Sequence, residues 1–243
     1  MAYPHIDFHD LIPLIRDRIG EKGTADGFWS DTSELLPVCK FICLDISKRI
    51  YYPYATIHGA ISTNMMSITL PANFLCMDYK ERSGQASVLF NIASTWIKGI
   101  PAKATMIPET SILTATGEAT PSSIYWWQKT SVVDTGMYRR VLQLYPKITT
   151  GVNDPGYYIN YVKIPTALTG NASSGTGNEL TDIYFDEICD GAAWMLLLKQ
   201  QSNLANYFWQ KYNNALPNAA LYEHERLQLE ARDVPQKVKI IGG

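Results

Sequence analysis

The stretch from Ile124 to Leu198 constrains the fold more than any other part of the chain. It opens on an aromatic run, Ile124-Tyr-Trp-Trp-Gln128, and continues through Val141-Leu-Gln-Leu-Tyr145 to Pro146. The Gly151–Gly156 segment, rich in Asn, Asp and Pro, reads as a turn, and Tyr157-Tyr-Ile-Asn-Tyr-Val162 follows, halted near Pro165. Short aromatic and β-branched runs bounded by Gly, Pro, Asn and Asp predict strands arranged as a hairpin. Thr169 to Asn178 reads as a flexible loop. Then comes the most apolar helix pattern of the chain, Leu180 to Leu198, with Leu180, Tyr184, Ile188, Ala192 and Met195 on one stripe. Strands followed directly by a buried helix predict an α+β chain.

The flanking sequence completes that plan. Phe8, Leu11, Ile12, Ile15 and Ile19 have helical spacing, closed by Gly20 and Gly23. Pro13 is placed in the first turn if Asp10 is the N-cap. Asp31-Thr-Ser-Glu34 has the form of a capping box, and Leu35, Cys39, Ile42, Ile46 and Ile50 form one apolar stripe after it. Beyond Tyr52-Pro-Tyr54 the texture turns to Ile, Thr and Ser with frequent Pro and Gly, which predicts β structure as far as Leu168. A helix from Ser202 is predicted to end at Pro217, with a further helical segment possible over 218–232. The predicted organisation is a helical bundle from residues 1–54 and 169–232, a β-rich domain inserted over 55–168, and a tail at 233–243.

Few chemistries fit this composition. With a net charge of −2, the chain does not advertise a binder of nucleic acid or of anionic membrane. The first residues lack the basic and apolar regions of a signal peptide, and the longest apolar run, Ala192 to Leu198, is 7 residues. Cys39, Cys43, Cys76 and Cys189 are scattered, and packing in a core is expected of them rather than metal binding. The Gly170–Gly175 stretch has the glycine frame of a phosphate-binding loop, but Thr176 stands where such a loop needs Lys. His5, His9, His58 and His224 form no ligand or nucleophile pattern. Glu179, Asp182, Asp186 and Asp190 fall on one helical face with Glu187 close by; a solvated face is expected there rather than a metal or acid–base site. Trp126 and Trp127 are of a type that stacks on sugars, though core or interface packing is commoner.

The order of these features resembles the head-to-tail adaptor, or connector-ring, proteins of tailed bacteriophages, including the tail-tubular A type. Trp29-Ser-Asp31 with Leu35-Leu36 and Asp45-Ile46 resembles the second-helix signature, and Leu70-Pro-Ala-Asn-Phe74-Leu75 a strand phrase of the insert. Gly117, Pro121 and Tyr125 resemble the approach to a hairpin; Leu142 to Pro146, Tyr157 to Tyr161 and Pro165 to Leu168 resemble the hairpin itself; and Tyr184 to Leu197 resembles the helix after it. The likeness runs from about Phe8 to Leu216 and fails over 88–120 and the last 25 or so residues.

The resemblance implies a structural virion protein of the neck, made in the host cytoplasm. It implies subunits forming a ring of about twelve that joins the portal to a downstream tail or nozzle protein while DNA passes through. It implies no catalysis and no cofactor. Two further expectations concern particular residues. Pro235, Gln236, Lys237, Val238, Lys239, Ile240 and Ile241 cannot bury their apolar members among themselves, so this tail is expected to be mobile until it orders on the portal or a neighbouring subunit. Glu179, Asp182, Asp186 and Asp190 are expected to face the channel in part, since carboxylates do not grip phosphate. The alternatives are another neck or tail protein, or a carbohydrate-binding β module.

Overall fold

A computed structural model describes residues 6–21, 28–77, 86–102, 120–132, 138–171 and 173–233. The architecture is α+β and divides into two compact units, one of Met1–Pro53 with Lys163–Arg226 and one built on Tyr54–Val162.

The first unit is helical. Helix α1 spans Phe8–Ile19, a π-helical turn at Asp31–Leu35 leads into α2 at Leu36–Ile50, and α3 (Thr181–Lys199) and α4 (Leu204–Asp233) follow the β region. Their apolar faces share one core: Phe8, Leu11 and Ile15 from α1, Ile42 and Ile46 from α2, Ile188 and Leu196 from α3, Tyr212 and Leu216 from α4. Gly191 lets α2 approach closely, because a Cβ there would lie 2.9 Å from Ile42.

The helix ends differ from expectation in instructive ways. α1 starts at Asp7, not Asp10: Asp10 sits at the third helical position and accepts the Asp7 backbone N–H at 3.0 Å. Pro13 therefore lies inside the helix, on its exposed side, where water can satisfy the carbonyl left without a partner. Gly20 closes α1 at φ +83°. The N-cap before α2 is Ser30, whose hydroxyl accepts from the Ser33 N–H while its own N–H donates to Glu34. Asp31 is freed for Arg16, at 2.8 Å. Nor does Pro217 stop α4, which runs on to Asp233; like Pro13, it faces solvent.

The stretch after Leu168 is not a loose loop. Strands β10 (Thr169–Asn171) and β11 (Ser174–Thr176) form a small hairpin against α1. Gly170 turns it at φ +120°, and a Cβ there would meet the Ser174 carbonyl at 2.2 Å. The Gly177 N–H donates to Asp7, and Asn178 caps α3 by accepting from the Leu180 and Thr181 N–H groups. Near its start α3 is kinked at Tyr184 (φ −117°, ψ 28°).

The second unit is a pair of facing sheets. One has the order β1 (Tyr54–Ile61), β9 (Val152–Lys163), β4 (Val88–Ile92), β5 (Thr95–Lys98), with β3 (Phe74–Met77) also on β9. The other has β2 (Met65–Thr69), β8 (Tyr138–Ile148), β7 (Tyr125–Val132) and β6 (Ile100–Pro101). Ile61, Phe90 and Ile159 of the first sheet pack with Ile68, Trp126 and Leu144 of the second. β7 and β8 form an antiparallel hairpin, but β8 and β9 do not pair; they enter different sheets. Pro146, where a strand is predicted to end, and Pro155, placed in the predicted turn, both lie within strands. Pro146 falls where β2 skips from Met65↔Ile148 to Ser67↔Gln143, and Pro155 where β1 skips from Gly59↔Tyr157 to Ile61↔Val152. At such bulges the ladder is interrupted, so a residue without an N–H is tolerated.

Candidate functional site

The acidic residues around α3 were the candidates, and each has a separate occupation. Glu179 lies before the first residue of the helix. It accepts from the Thr166 N–H at 2.9 Å and hydroxyl at 3.0 Å, and pairs with Lys163 at 2.7 Å. Burial alone would raise its carboxyl, but Lys163 and the Thr166 donors outweigh burial and bring it down to about 2. It fastens the segment leaving β9 to the start of α3.

On the helix itself, Asp182 accepts the Ile6 N–H at 2.8 Å and holds the chain entering α1. Asp186 and Asp190, one turn apart, take opposite ends of one guanidinium: Arg18 Nη2 donates to Asp186 and Arg18 Nε to Asp190, both at 2.6 Å. Asp190 is 3% exposed and also meets Lys211 of α4 at 2.9 Å. A carboxylate so buried between two cations ties α1, α3 and α4 together and presents no free charge to solvent. Asp186 keeps 60% of its side chain exposed. The set is thus not one uniform solvated stripe. Its partners Arg18, Lys163 and Lys211 carry no sequence signal, because they come from 21 to 172 positions away from Asp190 in one direction or another, or from the end of a strand.

Glu187 differs from its neighbours. Burial pushes its carboxyl up, Asp186 and Asp190 add to the shift, and Lys211 partly offsets it. It lines a hollow of about 360 Å³ between α3 and α4 with Ile183, Tyr184 and Tyr222. Behind that hollow the Tyr184 hydroxyl donates to the fully buried Glu223.

Other candidates resolve into packing. Cys39, Cys43 and Cys189 are buried free thiols; burial raises Cys43 and Cys189 to about 12 and Cys39 well above its usual value, which keeps them protonated and poor metal ligands. Trp126 and Trp127 are buried, at 1% and 5% exposure, so neither offers a face to a sugar. Among the described residues, the one grouping with metal-ligand spacing is Asp7, His9 and Asp10, whose carboxylates already serve the start of α1. No helix of the described residues is long and apolar enough to cross a membrane. The tail residues Pro235 to Ile241 lie outside the described residues.

The charged groups of the helical unit are therefore arranged to hold elements together. The family model described as SU10 adaptor protein matches residues 6–237, and the chain belongs to that family. It is accordingly a bacteriophage adaptor, a structural component of the virion neck. A comparison with curated proteins gives no match.

Proposed function

We propose that this chain forms a ring of about twelve subunits that joins the capsid portal to the tail and gives DNA a passage, in the manner of the tail-tubular A type. The observation that carries this reading is the adaptor-family match across almost the whole chain. Two features of the chain support it. Apolar side chains stand exposed on the helical unit, among them Phe41 at 53%, Tyr207 at 58% and Leu221 at 56%, a surface suited to contact with other subunits. The apolar Val238, Ile240 and Ile241 of the tail, interleaved with Lys237 and Lys239, suit docking on the portal or a neighbouring subunit. Each contact between two subunits is small, so closure on a partner ring makes assembly cooperative. The free chain sediments as a monomer and assembles in the host cytoplasm on the portal. Of the acidic set, Asp186, with Asp182 beside it, is the part that faces the channel.

Negative-stain images of the chain with its portal test the reading. Rings capping the portal are expected. Portals that stay bare at saturating subunit would overturn it.

A further inference from the structure

We infer that the hollow between α3 and α4, with Glu187 in its wall, receives the lysine-bearing outer stripe of α2 from a second copy of this chain. The inference rests on the ring reading above and names the two surfaces that meet in it.

The first surface is on α2. Lys40, Phe41, Leu44 and Lys48 fall at helical positions i, i+1, i+4 and i+8, an arc of about 100° at 100° per residue. Lys40 and Lys48 are exposed and have no carboxylate partner among the described residues. Half-buried Leu44 lies between them, and Phe41, 53% exposed, stands at the edge of the arc. An apolar strip flanked by unpaired cations is matched by a groove with an apolar rim and a carboxylate inside.

The second surface has that form. Ile183 and Tyr184 of α3 and Ala215, Asn218 and Tyr222 of α4 enclose the hollow with Glu187. Glu187 makes no hydrogen bond or ion pair to another residue among the described residues. Its neighbouring acids are already taken, Asp186 by Arg18 and Asp190 by Arg18 and Lys211. A half-buried carboxylate with no contacting cation is stabilised by an arriving ammonium group. Tyr222, at 45% exposure, supplies apolar rim for Phe41 and Leu44.

The two surfaces lie on different flanks of the helical unit, which is why the occupant is a second copy. α4 turns Asn213 toward α2, where Arg49 donates to it at 2.7 Å, and turns Ala215, Asn218 and Tyr222 toward the hollow. Tyr212 also faces α2, donating to Asp45, and Ala219 also lines the hollow, so at 100° per residue the two directions differ by about 120°. Complementary surfaces on different flanks of one subunit make a head-to-tail contact, the kind that closes into a ring. A two-fold dimer through either surface would set lysine against lysine or carboxylate against carboxylate. The net charge of −2 leaves little long-range repulsion between copies.

The test is charge exchange. A mixture of light and nitrogen-15-labelled chain, assembled on the portal and treated with a zero-length carbodiimide, is expected to give amide links between Glu187 of one copy and Lys40 or Lys48 of another. Glu187→Lys, and separately Lys40→Glu with Lys48→Glu, each lower ring yield by about tenfold, and combining the three changes restores it to within about threefold. Melting curves check that each variant folds; Glu187→Gln, which leaves the hollow uncharged, lowers ring yield by about threefold and serves if the reversal does not fold. Variants that assemble like wild type would overturn this interface and leave the ring reading standing. Wild-type chain that never assembles would overturn both.

Discussion

Asp190 and Asp186 accept from the same guanidinium, yet they do not contribute alike. Asp190 is buried beside Arg18, so Asp190→Ala leaves the largely buried guanidinium short of a carboxylate, with half-exposed Lys211 turning to solvent, and costs roughly 3 kcal/mol. Asp186 is mostly in water, and Asp186→Ala costs under about 1 kcal/mol. Denaturant melts of the two variants separate the cases; equal losses would contradict this account. Glu179 gives the pH counterpart. Its folded carboxyl titrates near 2 against an ordinary value of 4.5, so it binds protons less readily folded than unfolded. The stability it contributes is full above the ordinary value and is lost as pH falls from there toward 2. Glu179→Gln is therefore expected to be less stable than wild type at pH 7, by about 1 kcal/mol because the group is partly exposed. The gap should close as pH is lowered through that window; a gap that stays constant with pH would show that Lys163 and Thr166 do not hold the charge.

At the scale of elements, the Asn178 side chain accepts from two backbone N–H groups at the start of α3 and donates to the Thr166 carbonyl. Asn178→Ala should cost about 1 kcal/mol, the usual loss at an N-cap, with little change in helix content by circular dichroism. The apolar stripes of α1, α2 and α3 were readable because burial imposes a 3.6-residue period, and Phe8, Ile42 and Ile188 sit where it put them. Pro13, Pro146, Pro155 and Pro217 misled, because a proline breaks an element only where its missing N–H leaves a buried carbonyl unsatisfied. Two of the four lie on exposed helix sides and two at bulges. Which sheet a strand joins is set by pairing over long separations, so β8 and β9 read as partners when they are not. The ion pairs were illegible for a related reason. The acids were visible at 179–190, but the cations that occupy them come from α1, α4 and the end of β9, and no local pattern announces a partner so distant in sequence.

For the whole molecule the consequential charge is the one left exposed. With Glu179, Asp182 and Asp190 engaged in holding the helical unit, Asp186 is the acid of the set that retains most of its exposure. In the proposed ring of about twelve subunits, one such acid per copy facing the channel would make a band of negative potential at one level of the passage. Phosphates repelled by that band stay solvated and mobile, whereas a band of cations would exchange counterions for phosphate contacts and hold the duplex. Asp186→Lys converts the band while altering a residue whose own contribution to folding is small. Rings are expected to form at the wild-type level, and DNA ejection from particles carrying the variant to slow by about tenfold at low salt. The defect should shrink as ionic strength rises, since counterion release weakens with added salt. Ejection that matches wild type at low salt, from particles with a full complement of rings, would place Asp186 on the outer surface of the ring and end the channel assignment.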